Sequence, residues 1–151
     1  MKGKLFIAFV ALLLMSCGGS TSPKPTEADK PAATDGYDPN RGEGKFTKVE
    51  VSPALDVAKA TSGEKVYGVK CGSCHKLSNE KLVGPGWQGV TTRHSAEWIM
   101  NFATNPDPMI TKDPKAQAML EICLVRMPNQ NVSDDDARNV YEFMRKNDGI
   151  K

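Results

Sequence analysis

Cys71-Gly72-Ser73-Cys74-His75 is the stretch on which the rest of the sequence turns. Its two thiols stand one helical turn apart, and an imidazole follows at once. That spacing suits two thioether bonds to the vinyl groups of a haem, with the histidine beneath the iron as proximal ligand. Two other chemistries use a Cys-x-x-Cys pair, a thioredoxin-like redox couple and half of a zinc site. Zinc would need a second pair of ligands, and the remaining Cys123 and His94 are isolated from each other. A redox couple would not need the following histidine, and no βαβ pattern surrounds the motif. Covalent haem attachment is therefore the favoured reading.

The first residues say where that chemistry takes place. Met1 to Ser16 carry Lys2 and Lys4 and then an apolar run from Leu5 to Met15. A run of about eleven residues is too short to span a bilayer as a helix, and it reads as the h-region of a secretory signal peptide. Leu14-Met15-Ser16-Cys17 resembles the bacterial lipobox. That resemblance implies cleavage before Cys17 and a diacylglycerol on its sulfur. The alternative is an ordinary signal peptide that happens to hold a cysteine.

Four cysteines in an exported chain invite a two-disulfide framework. Lipid on Cys17 and haem on Cys71 and Cys74 leave only Cys123, expected to be a buried, inert thiol on a helix. Charge is uninformative. Of 20 Lys and Arg against 18 Asp and Glu, two (Lys2 and Lys4) belong to the signal, which leaves the remainder balanced. That excludes a nucleic-acid binder and a polybasic membrane protein.

Gly18 to Gly44 is rich in Gly, Ser, Thr, Pro and charge, with Tyr37 its only large apolar side chain. Such a segment buries too little surface to offset its ordering entropy. The expected organisation is residues 1–16 as a lipoprotein signal peptide, 17–52 as a lipidated cysteine with a disordered tether, and 53–151 as the folded domain. As a coil the tether would span roughly 30–35 Å. Phe46, Val49 and Val51 alternate weakly, the pattern of an extended arm packed on the domain.

The helix signals in the folded part are specific. Ser52-Pro53 offers an N-cap with proline at the first helical position, and Thr61-Ser62-Gly63-Glu64 fits a capping box leading into the haem motif. Ser95 caps a helix with Trp98, Ile99 and Phe102 that Asn105-Pro106 ends. Asp113-Pro114 starts another, with Ala116, Met119, Leu120 and Cys123 at helical spacing. Ser133 caps the last, with Asp134, Asp135 and Asp136 in its first turn and Gly149 past its end. Nothing alternates as a sheet. The expected fold class is all-α, with about four to five helices around one covalent haem c.

From Gly63 to Lys146 the residues resemble a small monohaem class I cytochrome c. Gly63 and Tyr67 lie eight and four residues before Cys71, as the family's small and aromatic residues do on its first helix. Val140 and Phe143 match the aliphatic and aromatic positions of its last helix. Gly84-Pro85 resembles the loop whose proline carbonyl accepts a hydrogen bond from the ligating histidine, a partner that fixes the ring and raises its basicity. Arg93, eight residues after Pro85, matches a position that binds a haem propionate, against the alternative of an ordinary exposed arginine.

For the sixth ligand, Met100, Met109, Met119, Met127 and Met144 compete. Met127 precedes Pro128, which biases it out of helix and into an extended loop, and the resemblance places the ligand there, often as Met-Pro. Met109, in Asp107-Pro108-Met109, is the second loop candidate, and His94 is a possible nitrogen ligand. A narrower resemblance, carried by Trp98-Ile99-Met100-Asn101-Phe102, Asp113-Pro114 and Arg126-Met127-Pro128-Asn129-Gln130, is to monohaem lipoprotein cytochromes associated with nitrous oxide reductases.

The expected function is one-electron transport by a membrane-tethered, six-coordinate cytochrome in the periplasm, between a respiratory donor and a terminal reductase or oxidase. It is not an enzyme, takes no small-molecule substrate and binds no nucleic acid. Lys70, Lys76 and Lys81 would steer an acidic redox partner if they surround the haem edge; the alternative is a solvated face. Three other roles compete: a fixed subunit of a larger redox enzyme, a haem peroxidase and a sensor.

Overall fold

Short polar caps start most of the helices. The computed structural model describes residues 37–151. The expected signal peptide, Cys17 and the first part of the tether lie outside the described residues. Six helices follow in order: α1 Val57–Val66, α2 Val90–Arg93, α3 Ala96–Thr104, α4 Pro106–Lys112, α5 Pro114–Cys123 and α6 Asp134–Asn147. The described residues hold no sheet, and one isolated antiparallel bridge pairs His75 with Lys81. The all-α expectation holds, with six helices where four to five were expected.

Three of the expected caps form. Ser95 Oγ accepts from Trp98 N at 3.1 Å, Asp113 Oδ1 from Ala116 N at 2.8 Å, and Ser133 Oγ from Asp136 N at 3.1 Å. Each satisfies a backbone donor that the first helical turn leaves orphaned. Gly149 takes a left-handed conformation after α6 (φ 91°), the expected stop.

Two expected starts are displaced. Neither Ser52 nor Thr61 begins a helix; Asp56 caps α1 instead, accepting from Lys59 N at 3.0 Å. The cause is the buried Arg145, whose Nη2 donates to Ser52 O at 2.7 Å and Pro53 O at 3.1 Å. Asp56 N, which a helix from Ser52 would turn toward Ser52 O, donates to the buried Glu142 carboxylate at 3.3 Å. Thr61 lies inside α1 and donates to Val57 O at 2.8 Å.

α1 crosses α6 where Gly63 meets the Asn139–Val140 backbone so closely that a Cβ would overlap it. Tyr67, at the end of α1, packs on Phe143 of α6 with ring centroids 5.4 Å apart. This crossing carries the haem motif directly out of α1.

Residues 37–52 correct the expected tether: they pack on the domain. The fully buried Asn101 grips Phe46 from both sides, accepting from Phe46 N at 2.8 Å and donating to Phe46 O at 3.0 Å. It also donates to Arg41 O at 2.9 Å. The Tyr37 hydroxyl donates to Asp113, and Phe46 and Val49 pack against the core.

Candidate functional site

The motif emerges from α1 through one wider π turn, Tyr67–Cys71, an insertion that often marks a functional position in a helix. Cys74 N and His75 N both donate to Cys71 O, at 3.0 and 2.9 Å, which coils the two cysteines and the histidine into a single turn. Cys71 is buried and Cys74 half-buried. As a free thiol Cys71 would be pushed up to about 11 by burial. That suppresses the thiolate on which a thioredoxin-like couple depends. Among the described residues no group of three His, Cys, Asp or Glu comes together as a metal cluster, so the second ligand pair of a zinc site is not brought to this turn.

His75 Nδ1 lies 2.9 Å from the Pro85 carbonyl oxygen. A carbonyl only accepts, so Nδ1 carries the proton and Nε2 keeps its lone pair. Burial holds the imidazole below its ordinary pKa, with the Pro85 bond opposing. The ring is thus neutral and oriented, the state in which imidazole ligates a metal. Gly84 makes the approach possible, since a Cβ there would overlap the imidazole. The loop is tied back by Gly84 N to Cys74 O at 2.9 Å and Trp87 N to Lys76 O at 2.9 Å. The Tyr67 hydroxyl donates to His75 O at 2.6 Å.

Cys74 and His75 open on an apolar cavity with two adjoining lobes of about 290 and 360 Å³, within the size range of cofactor sites. His75, Cys74, Pro85, Phe102, Met119 and Met127 border both lobes. Cys71, Arg93 and His94 border the larger lobe, and Cys123 the smaller. Two thiols, a ligating nitrogen and a thioether around one apolar space form the donor set of a thioether-bound haem, and the residues fit that group. They would hold it through Cys71 and Cys74, with His75 beneath the iron.

The methionines separate. Met109 lies in α4, fully buried, where its sulfur accepts from Glu43 N at 3.0 Å. The expected loop around it does not exist, because Pro106 opens a helix there. Met100 is buried in α3 and borders neither lobe. Met144 borders the larger lobe and Met119, on α5, borders both. Met127 sits on an extended loop between two left-handed residues, Leu124 (φ 61°) and Asn131 (φ 50°).

Other expected residues fall as follows. Arg93 donates to Gln88 O at 2.6 Å and to Gly86 O at 3.4 Å. Cys123 is half-buried rather than buried, and ends α5. Lys76 pairs with Glu80 at 2.7 Å. Lys70 donates to Gln130 O at 2.9 Å and Asn131 O at 3.2 Å, and Lys81 to Ile122 O at 3.1 Å. Lys70 therefore fastens the far end of the Met127 loop, and Lys81 the last turn of α5 from which that loop leaves, to the motif's side of the cavity, which sequence spacing alone did not reveal. Trp87 was also missed. It is buried, with its ring 5.0 Å from Tyr67 and 5.5 Å from His75, and its only sequence signal is the Gly84-Pro85-Gly86 turn before it.

Residues 60–148 match the family model for cytochrome c. The cytochrome c of Rhodothermus marinus is similar in structure, with a TM-score of 0.67 and 30% identity over 70% of this chain and 90% of that chain. An engineered version of it bound to a carbene intermediate matches at a TM-score of 0.64 with the same identity. A stretch of 48 residues is 40% identical to the cytochrome c-type cyt cy of Rhodobacter capsulatus, covering 32% of this chain and 24% of that protein. The similarity therefore spans about a quarter of that relative. One covalent haem c accompanies a small domain of this kind. The apolar cavity beside a Cys-x-x-Cys-His turn and the match over most of the folded residues agree, and the chain belongs to the cytochrome c family.

Proposed function

We propose that the protein is a lipid-tethered, one-electron carrier whose haem c is bound by Cys71 and Cys74 and ligated by His75 and Met127. The observation that carries this reading is that His75, locked by Pro85, and Met127, on an extended loop, border both lobes of one apolar cavity. The haem, when bound, supplies a reversible one-electron couple. His75 presents a neutral, oriented nitrogen, and Met127 a soft thioether that favours the reduced state and raises the potential. With His75 and Met127 both holding the iron, no open site would be left for a substrate, which supports transport rather than catalysis. Arg93 borders the larger lobe, and its guanidinium would serve as a donor to a propionate there.

The lipobox-like Leu14-Met15-Ser16-Cys17 supports export and lipid anchoring through Cys17, with the domain in the periplasm. Among the described residues no helix is long and apolar enough to cross a membrane. The donor would be a respiratory complex, and the acceptor a terminal reductase, such as that for nitrous oxide, or an oxidase. Of the three lysines expected to steer the partner, Lys76 is neutralised by Glu80. Lys70 and Lys81 donate to carbonyls and keep their charge, so steering falls to them, with rates that decline as salt rises.

A fixed-subunit role is the second reading, favoured by the exposed Leu124 and Val125 beside the smaller lobe. Stable co-purification with one complex would support it. A redox titration of the mature protein tests the first: a single reversible one-electron wave of a low-spin haem is expected, and a resting high-spin ferric haem with fast peroxide turnover would overturn it.

A further inference from the structure

Two readily oxidised side chains share one oxygen of a buried carboxylate. The Tyr37 hydroxyl donates to Asp113 Oδ2, and the Trp98 indole donates to the same atom at 2.9 Å. Asp113 is fully buried, and its other oxygen accepts from Ala116 N at 2.8 Å. Trp98 borders the larger lobe of the cavity. Its ring lies 5.2 Å from that of Phe102 with planes within 7°, and Phe102 borders both lobes. Tyr37 is half-buried on the arm, outside the 60–148 stretch that matches the family. Ring contact and two hydrogen bonds thus join the cavity wall to a residue that the family match does not cover.

A tyrosine gives up an electron readily only where its proton has an acceptor, because an oxidised phenol is a strong acid. An ionised carboxylate supplies that acceptor across a hydrogen bond already made. The three tyrosines differ in this respect. Tyr67 donates to the His75 backbone carbonyl at 2.6 Å, an acceptor with little affinity for a proton. Tyr141 is buried with the Arg138 guanidinium 5.4 Å from its ring centre, a positive charge that opposes electron loss. Tyr37 has the carboxylate. Burial, then the hydrogen bond to Asp113, hold its phenol far above the ordinary pKa, so the proton moves only together with the electron.

We infer that Trp98, Asp113 and Tyr37 form an escape route for oxidising equivalents: when hydrogen peroxide oxidises the reduced domain, Tyr37 is the terminal electron donor, Trp98 the relay and Asp113 the proton acceptor. The inference rests on haem c occupying the cavity as proposed above. Peroxide takes up two electrons and two protons from bulk water, its O–O bond breaks, and two waters leave. One electron comes from the iron, which goes from ferrous to ferric. The other comes from Trp98, which is refilled at once from Tyr37. The phenolic proton crosses to Asp113 Oδ2, and the carboxylic acid so formed donates back to the neutral phenoxyl radical. Without Tyr37 the second equivalent stays beside the cavity, where the Met127 thioether is open to oxidation to a sulfoxide. The route therefore moves damage away from the sixth-ligand candidate and onto the arm.

The test uses the mature, haem-loaded protein, reduced, mixed with hydrogen peroxide and frozen for electron paramagnetic resonance. Wild type is compared with Tyr37→Phe, Tyr67→Phe and Trp98→Phe, and Met127 sulfoxide is measured by peptide mass spectrometry. The expected result is a tyrosyl radical in wild type and Tyr67→Phe. In Tyr37→Phe that signal is lost and a tryptophanyl signal replaces it, an exchange that mere loosening of the arm would not produce. Met127 sulfoxide should rise in Tyr37→Phe and in Trp98→Phe. No protein radical in wild type, an unchanged tyrosyl signal in Tyr37→Phe, or its loss in Tyr67→Phe instead would overturn the inference. Should Trp98→Phe fail to load haem, Tyr37→Phe decides alone. An alkaline pyridine spectrum separates the two levels: no covalent haem defeats the underlying reading and this inference together, whereas a haem-loaded protein without a Tyr37 radical defeats only this inference.

Discussion

The Pro85 carbonyl oxygen stands 2.9 Å from His75 Nδ1, and the residue just before that proline is a glycine whose absent Cβ would lie in the imidazole ring. Orientation of the proximal nitrogen and the identity of residue 84 are therefore one requirement. Gly84→Ala must push the ring or the loop away. The expected cost is about 2 kcal/mol of stability, with a smaller haem-loaded fraction on expression. Chemical denaturation and the haem-to-protein absorbance ratio measure both.

The pair that displaces the expected first helix start is the second target. Arg145 donates to Glu142 Oε2 at 2.8 Å, and Arg138 to Glu142 Oε1 at 2.5 Å, with the glutamate fully buried. Glu142→Gln keeps the shape and leaves a buried guanidinium without its counter-charge. Breaking such a pair costs about 3–5 kcal/mol, read as an equilibrium shift in urea with little change in the visible spectrum.

Asp56 makes one part of stability depend on pH. The Lys59 side chain, then its backbone N–H, hold this carboxyl below the ordinary carboxylate value. A depressed folded pKa means that the unfolded state binds the proton first. The contribution is full above the ordinary carboxyl value of 3.8 and is lost as pH falls through the lower folded value. The stability gap between wild type and Asp56→Asn should therefore shrink on acidification below that point and stay constant from pH 5 to 7. Denaturation series at several pH values measure the gap.

Lys70 holds the far end of the Met127 loop through the Gln130 and Asn131 carbonyls, and Lys81 holds the last turn of α5, just before the loop, through the Ile122 carbonyl. Replacing either by methionine removes a charged donor worth about 1 kcal/mol at a partly exposed site. The loop should then detach at lower denaturant than in wild type, while global unfolding moves less. Visible spectra in a guanidinium series separate the two transitions.

Much of this was legible in the sequence because the signals were local. The Ser95, Asp113 and Ser133 caps depend on residues within one turn, and the Cys71–His75 spacing carries its chemistry within five positions. The failures involved distant partners. Ser52-Pro53 has every local mark of a helix start, yet Arg145 of α6 takes its carbonyls. Residues 37–52 have a tether's composition, yet one buried side chain, Asn101, supplies the hydrogen bonds that order them. Met109, in Asp107-Pro108-Met109, looked like a loop residue; Pro106 instead occupies the first turn of a helix, where a missing N–H costs nothing. Met119 falls at helical spacing with Ala116, Leu120 and Cys123, and periodicity cannot say that this face of α5 is a cavity wall.

The central claim is that Met127 completes the ligation opposite His75, and Met119 is the side chain that could take its place at the same cavity. The most direct measurement is the weak thioether-to-ferric charge-transfer band in the near infrared, recorded for oxidised wild type, Met127→Ala and Met119→Leu. The band should be present in wild type and Met119→Leu and absent from Met127→Ala. Its survival in Met127→Ala, or its loss in Met119→Leu alone, would contradict the account.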